Sequence, residues 1–149
     1  MKNYKLSDET KTTSSGTVLH RVVATTTFTS ACGLTITKGD VGGWIEKESN
    51  LSDNAWISGN AEVSGDAWVR GNALVSGNAK VSSNAQVFGN AKVYGHAQIY
   101  GAVQVYGYAQ VYDNARVYDN AIVSGDARVY ADARVSGNAQ VFGNVQVYD

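Results

Sequence analysis

From residue 55 onward the chain repeats a six-residue pattern without a single insertion. Alanine stands at every sixth position from 55 to 145, with valine in its place at 103 and 145, and Val or Ile follows two residues later each time. Successive side chains of a β-strand point to opposite faces, so the two residues of each pair share one face. A unit that points Ala and Val inward can bury them only by stacking on copies of itself.

Weaker matches extend the repeat toward the N-terminus. Ser49/Leu51 and Gly43/Ile45 fit the same frame, so hexads starting every six residues from 43 to 145 number eighteen. The pairs end in Gly-Asn or Gly-Asp turns, and glycine, Asn and Asp are the residues that adopt positive φ most readily. A period of six with frequent Val-Tyr, Val-Ser and Gly-Asn pairs excludes an α-helix. The sequence therefore predicts an all-β stack of short strands.

These hexads resemble the hexapeptide-repeat, left-handed parallel β-helix family, in which an aliphatic residue recurs every six positions and Asn often occupies the turn. The resemblance implies a left-handed helix with three hexads in each triangular coil. Eighteen hexads then form six coils in a prism about 29 Å long, and residues eighteen apart lie one above another. The family includes acyltransferases, carbonic anhydrases, antifreeze proteins and uncharacterised members, so the resemblance specifies the fold far more than the activity.

The stretch KGDVGGWIEKESNLS (38–52) narrows the resemblance. It is similar to the segment that leads into the helix in uncharacterised phage, prophage and bacterial hexapeptide-repeat proteins. We expect two parts, a β-rich cap at 1–42 and the β-helix at 43–149. The cap is expected to contain a hairpin between 17–28 and 33–37 and to cover the first coil, since an end coil otherwise exposes apolar side chains and unpaired strand edges.

Positions that flank each inward Val point outward and fall into columns eighteen residues apart, on three faces whose first outward residues are Trp44, Asn50 and Trp56. The third face carries an unbroken tyrosine column with Lys92 and Arg128 interleaved beside it; its members are Tyr94, Tyr112, Tyr130 and Tyr148. Stacked aromatic ladders stabilise parallel strands without any ligand. A flat aromatic face with cations is also suited to contact with a copy of itself or with a ligand. Both interpretations remain open.

Three successive turns lack Asn or Asp at their second residue, namely those of His96, Ala102 and Tyr108. In an eighteen-residue coil they are the three corners of one circuit. His96 is the candidate general base, with Asp113 stacked one coil further along to hold its tautomer, and the resemblance to acyltransferases makes an acyl-CoA-dependent reaction the alternative function. No insertion interrupts the repeat, however, so no loop is predicted to enclose a donor and exclude water.

Composition restricts the partners and the location. The net charge is −1, which disfavours nucleic acid, although every charged outward strand position from Lys80 onward is basic. Two histidines and the single Cys32 cannot form a three-histidine metal site or an internal disulfide, so neither a metal nor a cofactor is expected. The N-terminus lacks the apolar stretch of a secretory signal, and no membrane span is predicted. We expect a cytoplasmic protein, in the host cytoplasm if phage-encoded.

The hypothesis from the sequence is a non-enzymatic phage or prophage β-helix that acts as a binding or assembly module. Self-association is expected through the third face or through the last coil, because the sequence stops in frame at VQVYD (145–149) without a cap. The resemblance implies a trimer as the homo-oligomer. A host protein or a small anionic ligand is the further partner expected.

Overall fold

The computed structural model describes residues 2–30 and 33–149. Cys32, on which the absence of an internal disulfide was argued, lies outside these residues. Five strands form the N-terminal region: β1 Tyr4–Thr12, β2 Val18–Ala24, β3 Phe28–Thr29, β4 Thr35–Ile36 and β5 Val41–Ile45. A 3-10 turn at Glu48–Asn50 follows, and then sixteen two-residue strands begin at every sixth position. They are β6 Trp56–Ile57, β7 Glu62–Val63, β8 Trp68–Val69, β9 Leu74–Val75, β10 Lys80–Val81, β11 Gln86–Val87, β12 Lys92–Val93, β13 Gln98–Ile99, β14 Gln104–Val105, β15 Gln110–Val111, β16 Arg116–Val117, β17 Ile122–Val123, β18 Arg128–Val129, β19 Arg134–Val135, β20 Gln140–Val141 and β21 Gln146–Val147.

Three parallel sheets form the faces of the prism. The first face runs β5-β7-β10-β13-β16-β19, the second runs β8-β11-β14-β17-β20, and the third runs β6-β9-β12-β15-β18-β21. Each pairing joins residues eighteen apart along these two-residue strands, as in Lys80↔Gln98 and Lys92↔Gln110. The prediction of six stacked coils of eighteen residues is confirmed.

The core consists of the inward Ala and Val of each hexad. From Ala61 to Val129 these side chains are 0% or 1% exposed. Val103, which replaces the inward alanine, is also 0% exposed, so the coil that lacks Asn or Asp at its corners accommodates two extra methyl groups in the core.

The turns explain why His96, Ala102 and Tyr108 are tolerated. The first residue of every turn from Asp53 to Gly143 has φ between +57° and +80°, whereas the second residue, where Asn usually stands, never has positive φ. The expectation that Asn and Asp serve the left-handed backbone therefore holds for Asp at the first turn position and is wrong for the second. There, His96 still donates its backbone N–H to the carbonyl oxygen of Asp113 at 2.7 Å, so the ladder continues through the irregular coil.

The N-terminal strands extend the first face instead of forming the predicted hairpin between 17–28 and 33–37. β2 pairs antiparallel with β1 on one side and with β5 on the other, so the sheet changes from antiparallel to parallel at β5. Of the predicted hairpin only a short part is present, because Phe28 pairs with Ile36 in the β3–β4 hairpin. This arrangement gives the first coil a paired edge.

Side chains predicted to point outward in the first coil are buried. Trp44 and Trp56 are 6% and 2% exposed, and Asn50 is 0% exposed. The Lys11 and Arg21 cations lie 4.6 and 4.9 Å from the centre of a Trp44 ring, and Phe28 packs edge-on against Trp56 at 5.8 Å. The amide of Asn50 is satisfied by backbone, because its Nδ2 donates to the Gly65 and Ala67 carbonyls and its Oδ1 accepts from Lys47 N–H. A side chain that points outward in the repeat can therefore still be buried where the N-terminal strands cover the coil.

The double glycine of GGWI is required by close packing. A Cβ on Gly42 would lie 2.4 Å from the Ile57 carbonyl oxygen, and one on Gly43 would lie 2.6 Å from the Ile57 Cγ2. Any larger residue would separate β5 from β6, which contains Ile57. Close packing therefore explains two residues of the 38–52 segment, Gly42 and Gly43.

Candidate functional site

The four tyrosines of the third face form a continuous stack. Ring centroids are 4.8 Å apart between Tyr94 and Tyr112, 5.1 Å between Tyr112 and Tyr130, and 5.1 Å between Tyr130 and Tyr148. The first two pairs are parallel within 4°, and the last is tilted by 19°. In-register parallel strands repeat at nearly this distance, so the backbone itself sets the stacking. We call these four residues the tyrosine ladder.

Two tyrosines of the ladder are hydrogen-bonded to glutamines in the neighbouring column of the same face. The Tyr94 hydroxyl donates to Gln110 Oε1 at 3.2 Å, and the Tyr130 hydroxyl donates to Gln146 Oε1 at 3.1 Å. Burial raises the pKa of Tyr94, and the nearby Tyr112 and Asp113 raise it further. The pKa of Tyr130 is raised in the same way, first by desolvation and then by Tyr148. Tyr94 and Tyr130 therefore stay uncharged and hydrogen-bonded at neutral pH.

Lys92 and Arg128 lie on this same face, in the column paired with Gln110. Neither takes part in an ion pair in the part of the chain that the structure describes. Tyr148 is 64% exposed and the other three rungs are half-buried. The third face thus combines an ordered aromatic surface with two cations that form no ion pair among the described residues, and a binding role for these six residues remains a prediction.

Shorter aromatic stacks, which were not among the predicted site residues, occupy the other two faces. Tyr100 stacks on Tyr118 at 5.2 Å on the first face, and Phe88 stacks on Tyr106 at 4.9 Å on the second. The Arg70 guanidinium extends the second stack, 4.7 Å from the centre of the Phe88 ring. The eighteen-residue spacing of these aromatics was the signal available in the sequence.

His96 and Asp113 are neighbours through the backbone but are not joined by their side chains. The Asp113 carboxylate accepts the backbone N–H of Ala131 at 3.2 Å. Among the described residues no hydrogen bond or ion pair links the His96 ring to a carboxylate. Asp113 therefore caps the equivalent turn of the following coil, at Ala131. Its role as the partner that holds the tautomer of His96 remains a prediction.

The His96 side chain instead lines an open cleft of about 490 Å³ between its corner and the first face. The other lining residues are Gln98, Asn114, Arg116, Asp132 and Arg134. We call these six residues the His96 cleft. Within residues 2–30 and 33–149 no three His, Cys, Asp or Glu side chains are grouped in a way that holds a metal ion.

The structure contains, in its described residues, no helix long and apolar enough to cross a membrane.

Comparison with known families gives a match to a β-solenoid repeat. The family described as YdcK Beta solenoid repeat matches residues 109–125, 121–137 and 133–149. Each matched unit starts at an inward alanine, and successive units are displaced by two hexads, in agreement with the six-residue frame of the chain. This supports a repeat β-solenoid relationship over the last part of the chain. No curated protein matches the chain.

Proposed function

We propose that the protein is a non-enzymatic β-solenoid module that associates with copies of itself through the tyrosine ladder and the adjacent Lys92 and Arg128. The observation that carries the proposal is the ordered, partly exposed stack of four rings, flanked by cations that form no ion pair within residues 2–30 and 33–149. Rings already fixed by stacking lose little conformational freedom when they are buried against a partner.

A second copy suits this face because the face carries both cationic donors and hydroxyl acceptors. The stacked rings turn their edges and hydroxyls toward a partner, so Lys92 and Arg128 of one copy can donate hydrogen bonds to the tyrosine hydroxyl oxygens of another. In a cyclic oligomer with this face turned toward the symmetry axis, the face of each copy lies beside the same face of its neighbours. Contact with a non-identical host protein would use the same residues.

The finer parts of the proposal come from the resemblance of the 38–52 segment and of the hexads. They are a trimeric state, a phage or prophage origin, and a place in the host cytoplasm. The net charge of −1 supports a protein partner over nucleic acid.

Sedimentation velocity over a micromolar concentration series tests the association. Serine is the residue that the repeat itself uses in this column, at Ser58 and Ser76, so Tyr112→Ser with Tyr130→Ser removes two rungs without a foreign residue. The matched control is Tyr100→Ser with Tyr118→Ser, which removes a stack from the first face. We expect the wild type and the control to sediment as oligomers and the ladder variant as a folded monomer. An oligomeric ladder variant would show that the tyrosines stabilise the coils only, and would overturn the proposal.

The alternative function is an acyl-CoA-dependent acyltransferase with His96 as its base and Asp113 as its partner. Its experiment is an assay of acyl-CoA turnover with a panel of amine and hydroxyl acceptors. We expect no turnover by the wild-type protein. Turnover that disappears in His96→Ala would replace the binding module with the enzyme.

A further inference from the structure

The His96 cleft holds two arginines in an unusual position. Arg116 and Arg134 are direct partners in the parallel ladder of the first face, and both are exposed. Like charges placed directly opposite in a sheet repel each other. Ion pairs in the described part of the chain join Lys2 with Glu48, Lys11 with Glu62, and Lys47 with Asp66, so none of them relieves this repulsion.

The one carboxylate in the cleft is already engaged. Asp132 Oδ1 accepts a hydrogen bond from the Asn114 side-chain amide at 3.1 Å. It lowers the positive charge of the cleft by one without reaching either arginine within ion-pair distance. The charged side chains that line the cleft are thus two guanidinium groups and one carboxylate, which leaves a net positive charge facing solvent.

The geometry points to a binding site in this cleft for a small phosphate-bearing anion, with Arg116 and Arg134 as the charged donors. A carboxylate has two oxygens and is satisfied by the fork of one arginine. A phosphate group has three terminal oxygens and can bridge two guanidinium groups one ladder step apart. An anion bound between the two guanidinium groups offsets their mutual repulsion.

Two further donors, Gln98 and His96, complete the site. Gln98 is the ladder partner of Arg116 on the side away from Arg134, so its amide stands at the upper end of the arginine pair. His96 occupies the corner where the coils on either side carry Asn78 and Asn114, and it adds a ring N–H to the wall of the cleft. The tyrosine ladder leads into the same corner from the third face, but none of its residues lines the cleft. Variants of Arg116 and Arg134 on the first face therefore test the site separately from the proposed self-association.

Titration with inorganic phosphate, followed by the ¹H–¹⁵N signals of the arginine side chains, tests the site. We expect saturable shifts of the Arg116 and Arg134 Nε–H signals at millimolar phosphate. Parallel titrations with methyl phosphate and with acetate at the same ionic strength distinguish binding of free phosphate from binding of a phosphomonoester or a carboxylate. The cleft variant is Arg116→Gln with Arg134→Gln, and the control is Lys38→Gln with Lys5→Gln, which removes the same charge from the N-terminal region.

We expect the cleft variant to bind phosphate about tenfold more weakly or not at all, since each arginine supplies charge-assisted hydrogen bonds, and the control to bind as the wild type does. Absence of saturable shifts in the wild type would overturn the proposal. So would equal affinity in the cleft variant, measured by calorimetry, because the anion would then sit elsewhere. Equal affinity for acetate and phosphate would overturn the assignment to phosphate.

Discussion

Ala131 occupies a backbone position that alanine disfavours. It is the first residue of its turn and has φ of +57°, where the other turns have Gly, Asp or Ser. An L-residue with a Cβ loses about 1–2 kcal/mol in this conformation relative to the right-handed one. Its N–H is nevertheless retained as a donor to Asp113, which shows that the stack imposes the turn on whichever residue stands there.

Replacing Ala131 with glycine is expected to stabilise the protein by about 1 kcal/mol, because the strain at positive φ is removed and the hydrogen bond to Asp113 remains. The reverse change, Gly77→Ala, is the comparison. It should destabilise by about 1–2 kcal/mol or more, since φ there is +66° and the new Cβ would lie 3.0 Å from the Gly95 nitrogen. Urea unfolding followed by tryptophan fluorescence measures both. Opposite signs support the account of the turns; a destabilised Ala131→Gly variant contradicts it.

The N-terminal strand β1 is attached to the first coil through a buried tyrosine. The Tyr4 hydroxyl lies 2.6 Å from the Leu51 carbonyl oxygen and also donates to the Glu48 carbonyl. Burial, with a smaller contribution from Glu48, raises the pKa of Tyr4 to about 12. The hydroxyl must be protonated to donate, so the folded state disfavours the tyrosinate.

Because this pKa is higher in the folded state than the ordinary value of about 10, the contribution of Tyr4 to stability is complete below pH 10 and is lost as the pH rises through 12. Tyr4→Phe is expected to cost about 1–2 kcal/mol at pH 7 and progressively less above pH 10. The control is Tyr108→Phe at a side chain that is 64% exposed, which should change little. Urea unfolding at pH 7, 10 and 11.5 gives the comparison. A constant difference between Tyr4→Phe and wild type at all three values would refute the linkage.

How far the sequence predicts each element depends on the range of its contacts. The hexads were predictable because every strand carries its own period and turn, and the stack only repeats them. The N-terminal pairing was not, since Tyr4 meets Leu51 across forty-seven positions and no periodic signal links β1 to β2. The same limit applies to the site: the tyrosine ladder follows from spacing alone, whereas the His96 cleft depends on side-chain directions at a corner.

The whole molecule is a one-dimensional stack in which each coil contacts only its neighbours. Its stability is then close to a sum over coils and the contacts between them. Positions eighteen apart are equivalent in environment throughout the parallel part, as the pairings on all three faces show. A whole coil is therefore a removable unit, while a shorter segment is not.

Deletion of residues 79–96 is expected to leave a folded protein, because Ala97 takes the place of Ala79 and every later residue keeps its face. Deletion of 79–83 brings Asn84 to the inward position and turns the following side chains to the wrong face. Far-UV circular dichroism and thermal unfolding compare the two. We expect a strand spectrum and one cooperative transition at a lower midpoint for the first deletion, and loss of the transition for the second. Equal behaviour of the two deletions would be incompatible with an eighteen-residue register.

Self-association is the property of the whole molecule on which the proposed function depends. Native mass spectrometry of the freshly purified wild-type protein tests it most directly, and the same spectrum reveals any anion retained in the His96 cleft. At micromolar concentration we expect a mass that is a multiple of the 15.8 kDa chain, with three subunits as the expected number. A spectrum that contains only the 15.8 kDa species would contradict the account.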